Sequence, residues 1–504
     1  MSRSRRRLAV AAVYLGTFMA TLAISIVTVA LPALQSSLGT DLAGLQWVVG
    51  AYALCLSAFM LSAGPIGDRY GRKRAWLCGV ALFMLGSAIS AAAASLGQLI
   101  VGSAVQGVAG SLVIPGALSI LTQAFPDPAE RAHVIGGWSS FSAVSLILGP
   151  MLGGLLVDHV GWPSIFLINL PVGTAALVFG FAGIAESADP HHAALDPAGQ
   201  TLSVLFLGAL TYALIEAGTA GWDASATMTG LVVAVLAFAL FVVIERRVAR
   251  PVLPLDLFRD SGFASINFAS FALGFTGYSS LFFFSLFLQQ VQGWSASEAG
   301  WRMAPVFAAM AIVASLFGRL VRRHGLQRLM IAGYLLLGVA MLAMISFAPA
   351  TSYAVVAPLF ALLGMGMGLA VPSTGAAVMA AAPRERSGTA SATMNALRQG
   401  GMTIGIALLG TIMGARAVTS LATHLAAANI LDADSLAALA VHRHAPPQGF
   451  ALSSEAFHHL LADALSHGFS AAVTVAGLAG LLAAAVLLLV ARRRPSTRQP
   501  IAAK

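Results

Sequence analysis

Charge is what this chain has least of. Only 9% of its 504 residues are Asp, Glu, Lys or Arg, against roughly 25% in an ordinary soluble protein, and 58% are hydrophobic. So little polar surface excludes a water-soluble globule of this size. Cysteine is nearly absent as well. The two that exist, Cys55 and Cys78, both fall in apolar runs, which excludes a disulfide framework and leaves packing as their expected role. There is no phosphate loop, no nucleophile beside a base and no cluster with metal-ligand spacing, so no enzyme, ATP-driven pump, metal site or cofactor is expected. The net charge of +9 does not point to nucleic acid, because the basic residues lie in short clusters between apolar runs. The implied partner is a lipid bilayer.

What is present is length and repetition of apolar sequence. Runs of roughly 20 residues, enough for a helix to cross a bilayer, fall near 9–31, 45–65, 75–95, 99–123, 134–157, 165–186, 201–219, 226–245, 263–287, 303–321, 329–348, 353–375, 390–414 and 468–491. That is fourteen candidate spans in an all-α polytopic membrane protein. The first follows MSRSRRR but is long and lacks a small-residue cleavage site, so it reads as an anchored helix rather than a signal peptide. An even number of spans puts both termini on one side. Placing them in the cytoplasm puts 24 of the 28 Lys and Arg inside, leaving out only Arg302, Arg398, Arg416 and Arg443. By the positive-inside rule the expectation is a multi-pass plasma-membrane protein with both termini cytoplasmic.

A polar turn between the second and third spans organises the rest. GPIGDRYGRKR (64–74) carries Gly64, Gly67 and Gly71 for close approach and reversal, and Asp68 among Arg69, Arg72, Lys73 and Arg74. Its outline returns as GRLVRRHGLQR (318–328), with glycines at matching offsets (Gly64/Gly318, Gly71/Gly325) and arginines likewise (Arg69/Arg323, Arg74/Arg328). An internal duplication follows. This elbow is similar to the signature loop between helices 2 and 3 of the major facilitator superfamily; the second copy departs from it with Arg322 opposite Asp68. LGPMLGG, with Gly149, Pro150, Gly153 and Gly154, resembles the antiporter signature of that superfamily's export branches. IVTVALP (26–32), FLINLPVG (166–173) and LQQVQGWSASEAGWRMAP (288–305) resemble its fourteen-helix drug:proton antiporter branch, although Pro163 and Ser164 replace a usual Arg-Trp pair.

The resemblance implies a major facilitator fold of two six-helix bundles with an inserted two-helix hairpin. The expected divisions are 1–186 for the first bundle, 187–246 for the linker and inserted pair, 247–491 for the second bundle with a long outer loop at 416–467, and 492–504 for a cytoplasmic tail. The outer loop holds six histidines, His424, His442, His444, His458, His459 and His467, in spacings that match no ligand set. The resemblance further implies a monomer that moves small molecules by alternating access, with Gly64, Gly67, Asp68, Arg69, Gly71 and Arg72 as a gating loop. Asp68 would latch near Ser387 and Gly388 when the protein opens outward.

Two departures bear on coupling. Where that branch has a helix 1 aspartate and a helix 4 arginine, this chain has Ala23 and Ser103. Loss of both avoids stranding one charge of a buried pair, at about 3–5 kcal/mol, so the fold survives while the coupling chemistry is put in question. Glu216 is the one carboxylate read clearly inside a span, near the outer end of the seventh, where a snorkelling role competes with coupling. Arg398, in NALRQGG (395–401), lies near mid-membrane and is a candidate for substrate or coupling beside Gln106, with a structural role equally open. Three readings stand: proton-driven export of amphiphiles or drugs; an uncoupled or differently coupled facilitator or exchanger of an organic anion or lipid; and a non-transporting membrane sensor, against which the intact elbow and LGPMLGG speak.

Overall fold

A computed structural model describes residues 2–188, 196–248, 253, 255–383, 386–428, 430, 432–443 and 454–493. Arg250, Arg384, His444, Arg494, Arg498, Lys504 and prolines 251 and 254 lie outside the described residues.

Among the described residues, fourteen helices are long and apolar enough to cross a membrane. They are α1 (Arg3–Leu38), α2 (Leu42–Tyr70), α3 (Arg72–Ala91), α4 (Leu96–Ala124), α5 (His133–His159), α6 (Ser164–Gly183) and α7 (Pro197–Ala220). After them come α8 (Ser225–Glu245), α9 (Ser261–Val291), α10 (Ala296–His324), α11 (Leu326–Ser346), α12 (Tyr353–Ala381), α13 (Ser387–Ala427) and α14 (Glu455–Arg493). Their ends follow local chemistry. Asp41 accepts a hydrogen bond from the Gly44 amide at 2.8 Å, Asp260 does the same for Phe263, and Ser295 with Glu298 forms a capping box. The repeat seen in the sequence is a repeat of backbone: Gly71 (φ 109, ψ 123) breaks α2 from α3, and Gly325 (φ 83, ψ 150) breaks α10 from α11. Side chains with a Cβ rarely adopt such φ values.

Helices α5 and α6 pack on α1, and α2 and α3 pack on α4; later in the chain α10 and α11 pack on α12, and α13 and α11 on α14. Trp76, fully buried, ties the first group together, because the Cα positions of Gly16 (α1), Gly116 (α4) and Gly180 (α6) all close on its ring. Helices α7 and α8 pair with each other, and α7 lies across the junction of α2 and α13. Gln200 donates to the Ala58 carbonyl of α2 at 3.0 Å, and Thr411 of α13 donates to the Leu214 carbonyl of α7 at 2.6 Å. On α8, Val232, Val235, Leu236 and Phe238 are exposed, an apolar face suited to lipid.

One expectation gains detail and one changes. The outer loop 416–467 is mostly helix: α13 runs on to Ala427, a short helix covers Ala433–Arg443, and α14 begins by Glu455. Leu421 and Leu425 bury against the same core as Leu461 and Leu465, and this packing extends the helices past the apolar runs that predicted their ends. Cys78 is exposed rather than packed, whereas Cys55 is partly buried.

The short helix Ala433–Arg443 is docked by Ala437, Ala440 and Val441, all buried. Burial holds His442 below its ordinary value of 6.5, against an opposing pull from Asp41, the carboxylate facing it. A base with a depressed folded-state pKa binds fewer protons folded than unfolded, so its docking is stable above the ordinary value and weakens as pH falls below it. Acidifying the far side from pH 7.5 to 5 is therefore expected to raise labelling of a cysteine placed at Val441, and His442→Gln is expected to flatten that response.

Candidate transport pathway and its gates

The elbow end holds Gly71, Gly325 and the α12–α13 turn; the far end holds the α1–α2, α5–α6 and α9–α10 turns. Hydrogen bonds between the two halves run from Ser57 Oγ, donating to the Ala396 carbonyl at 2.8 Å, toward the far end. There Gln46 of α2 donates to the carbonyls of Ile406 and Ala407 at 2.8 and 2.9 Å. Gln289 of α9 reaches the Val29 carbonyl at 3.1 Å, and Gln290 reaches Gln35 at 2.7 Å. Gln35 in turn donates to the His442 carbonyl at 3.3 Å. A polar side chain in a span must find a partner, and these glutamines find theirs across the junction.

The far end is also sealed by close backbone contact. The Ser297 amide of α10 donates to Asp158 of α5 at 2.8 Å. A Cβ on Gly154 would strike the Ala296 carbonyl, and one on Gly300 would strike the Pro150 carbonyl. The other glycines of LGPMLGG face α1, Gly149 against Ser25 and Gly153 against Ile26 and Val29. One short run thus holds α5 against both halves.

Toward the elbow the tie loosens: none of residues 133–144 of α5 or 311–324 of α10 is buried. Ser139 and Ser140 of α5, Ser315 of α10 and Thr389 of α13 are exposed in the elbow-side parts of their helices. Such a polar face suits water rather than lipid. A Cβ on Gly388 would have open space around it. Asp68 pairs with Arg72, one turn on, at 2.6 Å. Glu186 braces the elbow: its carboxylate accepts from the Lys73 amide at 3.1 Å, and it lies so close to Gly71 that a Cβ there would meet it at 2.7 Å. The Arg72 amide donates to the Ser187 carbonyl at 2.9 Å. Gly64 has open space around it, and Arg69 lies over the Tyr70 ring at 5.6 Å.

Midway along, a recess of about 10 Å³ opens between α1, α2, α4 and α13, lined by Ala23, Ile24, Tyr52, Ser103, Gln106 and Met402 among others. That volume is close to what one water needs. Ala23 and Ser103, far apart in sequence, line the same recess. Gln106 is buried and donates to Ser87 at 2.8 Å, which also accepts from Asn169 at 3.2 Å; Tyr52 donates to the Ala20 carbonyl at 2.8 Å. Arg398 is one turn from Met402 on α13, half-buried, bonded to Asn395 and 5.4 Å from the Tyr278 ring centre. Glu216 is elsewhere, half-buried in the last turn of α7. Glu245, at the end of the predicted run 226–245, is the last residue of α8; it is 3% exposed and accepts from the Leu253 amide at 3.1 Å.

Comparison with known proteins decides the family. The profile of the Major Facilitator Superfamily matches residues 13–406. The chain belongs to that superfamily. It is 39% identical over 411 residues to the multidrug resistance protein Stp of Mycobacterium tuberculosis, covering 82% of this chain and 76% of that one. It is 33% identical over 497 residues to the tetracenomycin C resistance and export protein of Streptomyces glaucescens, covering 97% and 92%. With the methylenomycin A resistance protein of Bacillus subtilis it shares 34% identity over 428 residues, covering 85% and 92%. Among solved structures, an auto-inhibited POT family peptide transporter superposes with a TM-score of 0.65 at 17% identity, covering 99% of each chain. A bacterial homologue of the human lysosomal transporter Spinster, inward-facing and unoccupied, superposes with a TM-score of 0.64 at 18% identity, covering 99% and 100%. At such identities the likeness shows the major facilitator fold. The protein is a multi-pass membrane transporter acting on small molecules, not an enzyme.

The sequence reading missed the sealing residues. Asp158 gave no local signal, but Gln35, Gln46, Gln289 and Gln290 did: each is an amide in or beside an apolar run, and each needed a partner.

Proposed function

We propose that this major facilitator exports small amphiphilic molecules, drugs among them, from the cytoplasm by rocking its two six-helix bundles about the recess, with protons moving inward. The observation that carries this reading is the asymmetry of the junction: tied at the far end, looser at the elbow end. With both termini and the elbow in the cytoplasm, this is the inward-open state from which a substrate is collected. The names of the relatives support export as the direction.

In the opposite state the Asp68 carboxylate would sit at the start of α13, near Ser387 and Gly388, an interaction of about 0.3–1 kcal/mol, up to about 2 when partly buried. Asp68→Asn is expected to lower the outward-open population about two- to fivefold, and up to about thirtyfold if the site is partly buried, and to slow transport with the fold intact. Cysteine labelling at the far end checks the first effect, and unchanged labelling would count against the latch.

Coupling is the finer question. Ala23 and Ser103 make the recess wall uncharged, which favours a second reading: a facilitator or exchanger without the family's proton site. Purified protein in liposomes with a trapped pH-sensitive dye separates the two. Substrate-dependent proton movement supports antiport and directs attention to Glu216; substrate movement without it supports the facilitator.

A further inference from the structure

Among the described residues, no carboxylate pairs with Arg398. Its position eleven residues into α13 puts it roughly 16 Å from the elbow end at 1.5 Å per residue, at the depth of the recess. Its described partners are neutral groups: the Asn395 side-chain oxygen, the face of Tyr278 and, through space, the Tyr334 phenol. Among the described residues no carboxylate comes within ion-pair distance of it. The two wall positions across the recess, Ala23 and Ser103, are neutral as well. A guanidinium has five N–H donors and is never deprotonated in a protein, so most of its donor capacity and all of its charge remain for something else.

The backbone around it is built rather than incidental. Tyr278 closes a π-helical turn of α9, Gly274–Tyr278, an irregularity found mostly at functional sites. That turn seats Gly274 against the Arg398 carbonyl so tightly that any Cβ there would collide with it. Phe271 and Phe275, stacked with ring centres 6.3 Å apart, continue the same side of α9. A cation, a phenol and an apolar aromatic surface therefore adjoin one another beside the recess.

We propose that Arg398, with Tyr278 and Asn395, forms a binding site for the anionic head of the substrate, a carboxylate or sulfonate on an aromatic body, and that the bound anion supplies the missing counter-charge. This deepens the transport reading and rests on it for the role of the site, though not for its chemistry. A cationic amphiphile meets an unbalanced positive charge and is disfavoured.

Three probes of one shape test it: naphthalene-2-sulfonate, the neutral naphthalene-2-sulfonamide and 2-naphthyltrimethylammonium. Equilibrium binding to full-length protein in phosphatidylcholine nanodiscs is expected to favour the sulfonate at least tenfold over the other two. Arg398→Gln is expected to abolish that preference while leaving the affinity for the sulfonamide, which doubles as the folding control, and Arg398→Lys to keep part of it. Equal binding of cation and anion by the native protein would overturn the proposal without any variant. So would displacement of the sulfonate by chloride at equal concentration, which would mark a site for a small inorganic ion. Selective binding without flux in liposomes would leave the site standing and count against the transport reading instead.

Discussion

Gly300→Val is expected to hold the far end open and bring transport close to that of empty liposomes. Gly300 of α10 lies against the Pro150 carbonyl of α5, and Gly154 makes the reciprocal approach to the Ala296 carbonyl. The obstacle a side chain would meet is backbone in both cases and has no rotamer to change. Overpacking of this kind costs about 1–3 kcal/mol, occasionally more, and every 1.4 kcal/mol shifts a two-state population about tenfold. The strain falls on the closed far end alone, since the contact is absent once α5 and α10 separate. The variant should therefore reach the membrane folded, label readily at a far-end cysteine and move little substrate. Labelling at native levels together with native transport would show that the seal does not depend on this contact.

Trp76→Ala is expected to have the largest effect on stability. The indole is fully buried among α1, α3, α4 and α6, and three glycines on three helices are shaped around it. Truncating a buried Trp costs about 3–5 kcal/mol, through lost contacts and the cavity left behind. The midpoint of thermal aggregation in detergent should fall sharply. Because α3 starts at the elbow and Trp76 sits in its first turns, elbow reactivity should rise in parallel. A loss of stability with an unchanged elbow would confine the role of Trp76 to packing.

The legible parts of this protein were those written in local chemistry. Fourteen apolar runs became fourteen helices, and the paired elbow glycines became the paired positive-φ breaks at Gly71 and Gly325. The unusual Ala23 and Ser103 could be matched to family positions, but only the fold brings them to one recess. What stayed hidden depends on contacts distant in sequence. Asp158 reads as an ordinary helix-end acid until α10 arrives with the Ser297 amide. Glu186 reads as the plain end of the first bundle until it is seen bracing the elbow. The extension of α13 to Ala427 was missed because hydropathy fades there, while burial of Leu421 and Leu425 in the core does not.

Alternation between two openings is the central claim, and distance measurement at both ends tests it most directly. Spin labels at Ser36 and Ala354 report across the far end, and labels at Thr122 and Gln327 across the elbow end; all four positions are exposed. In liposomes, substrate with an imposed pH gradient is expected to lengthen the first distance and shorten the second together, and Gly300→Val to fix the pair in that second arrangement. Distances that stay put, or that change at one end without the other, would contradict it.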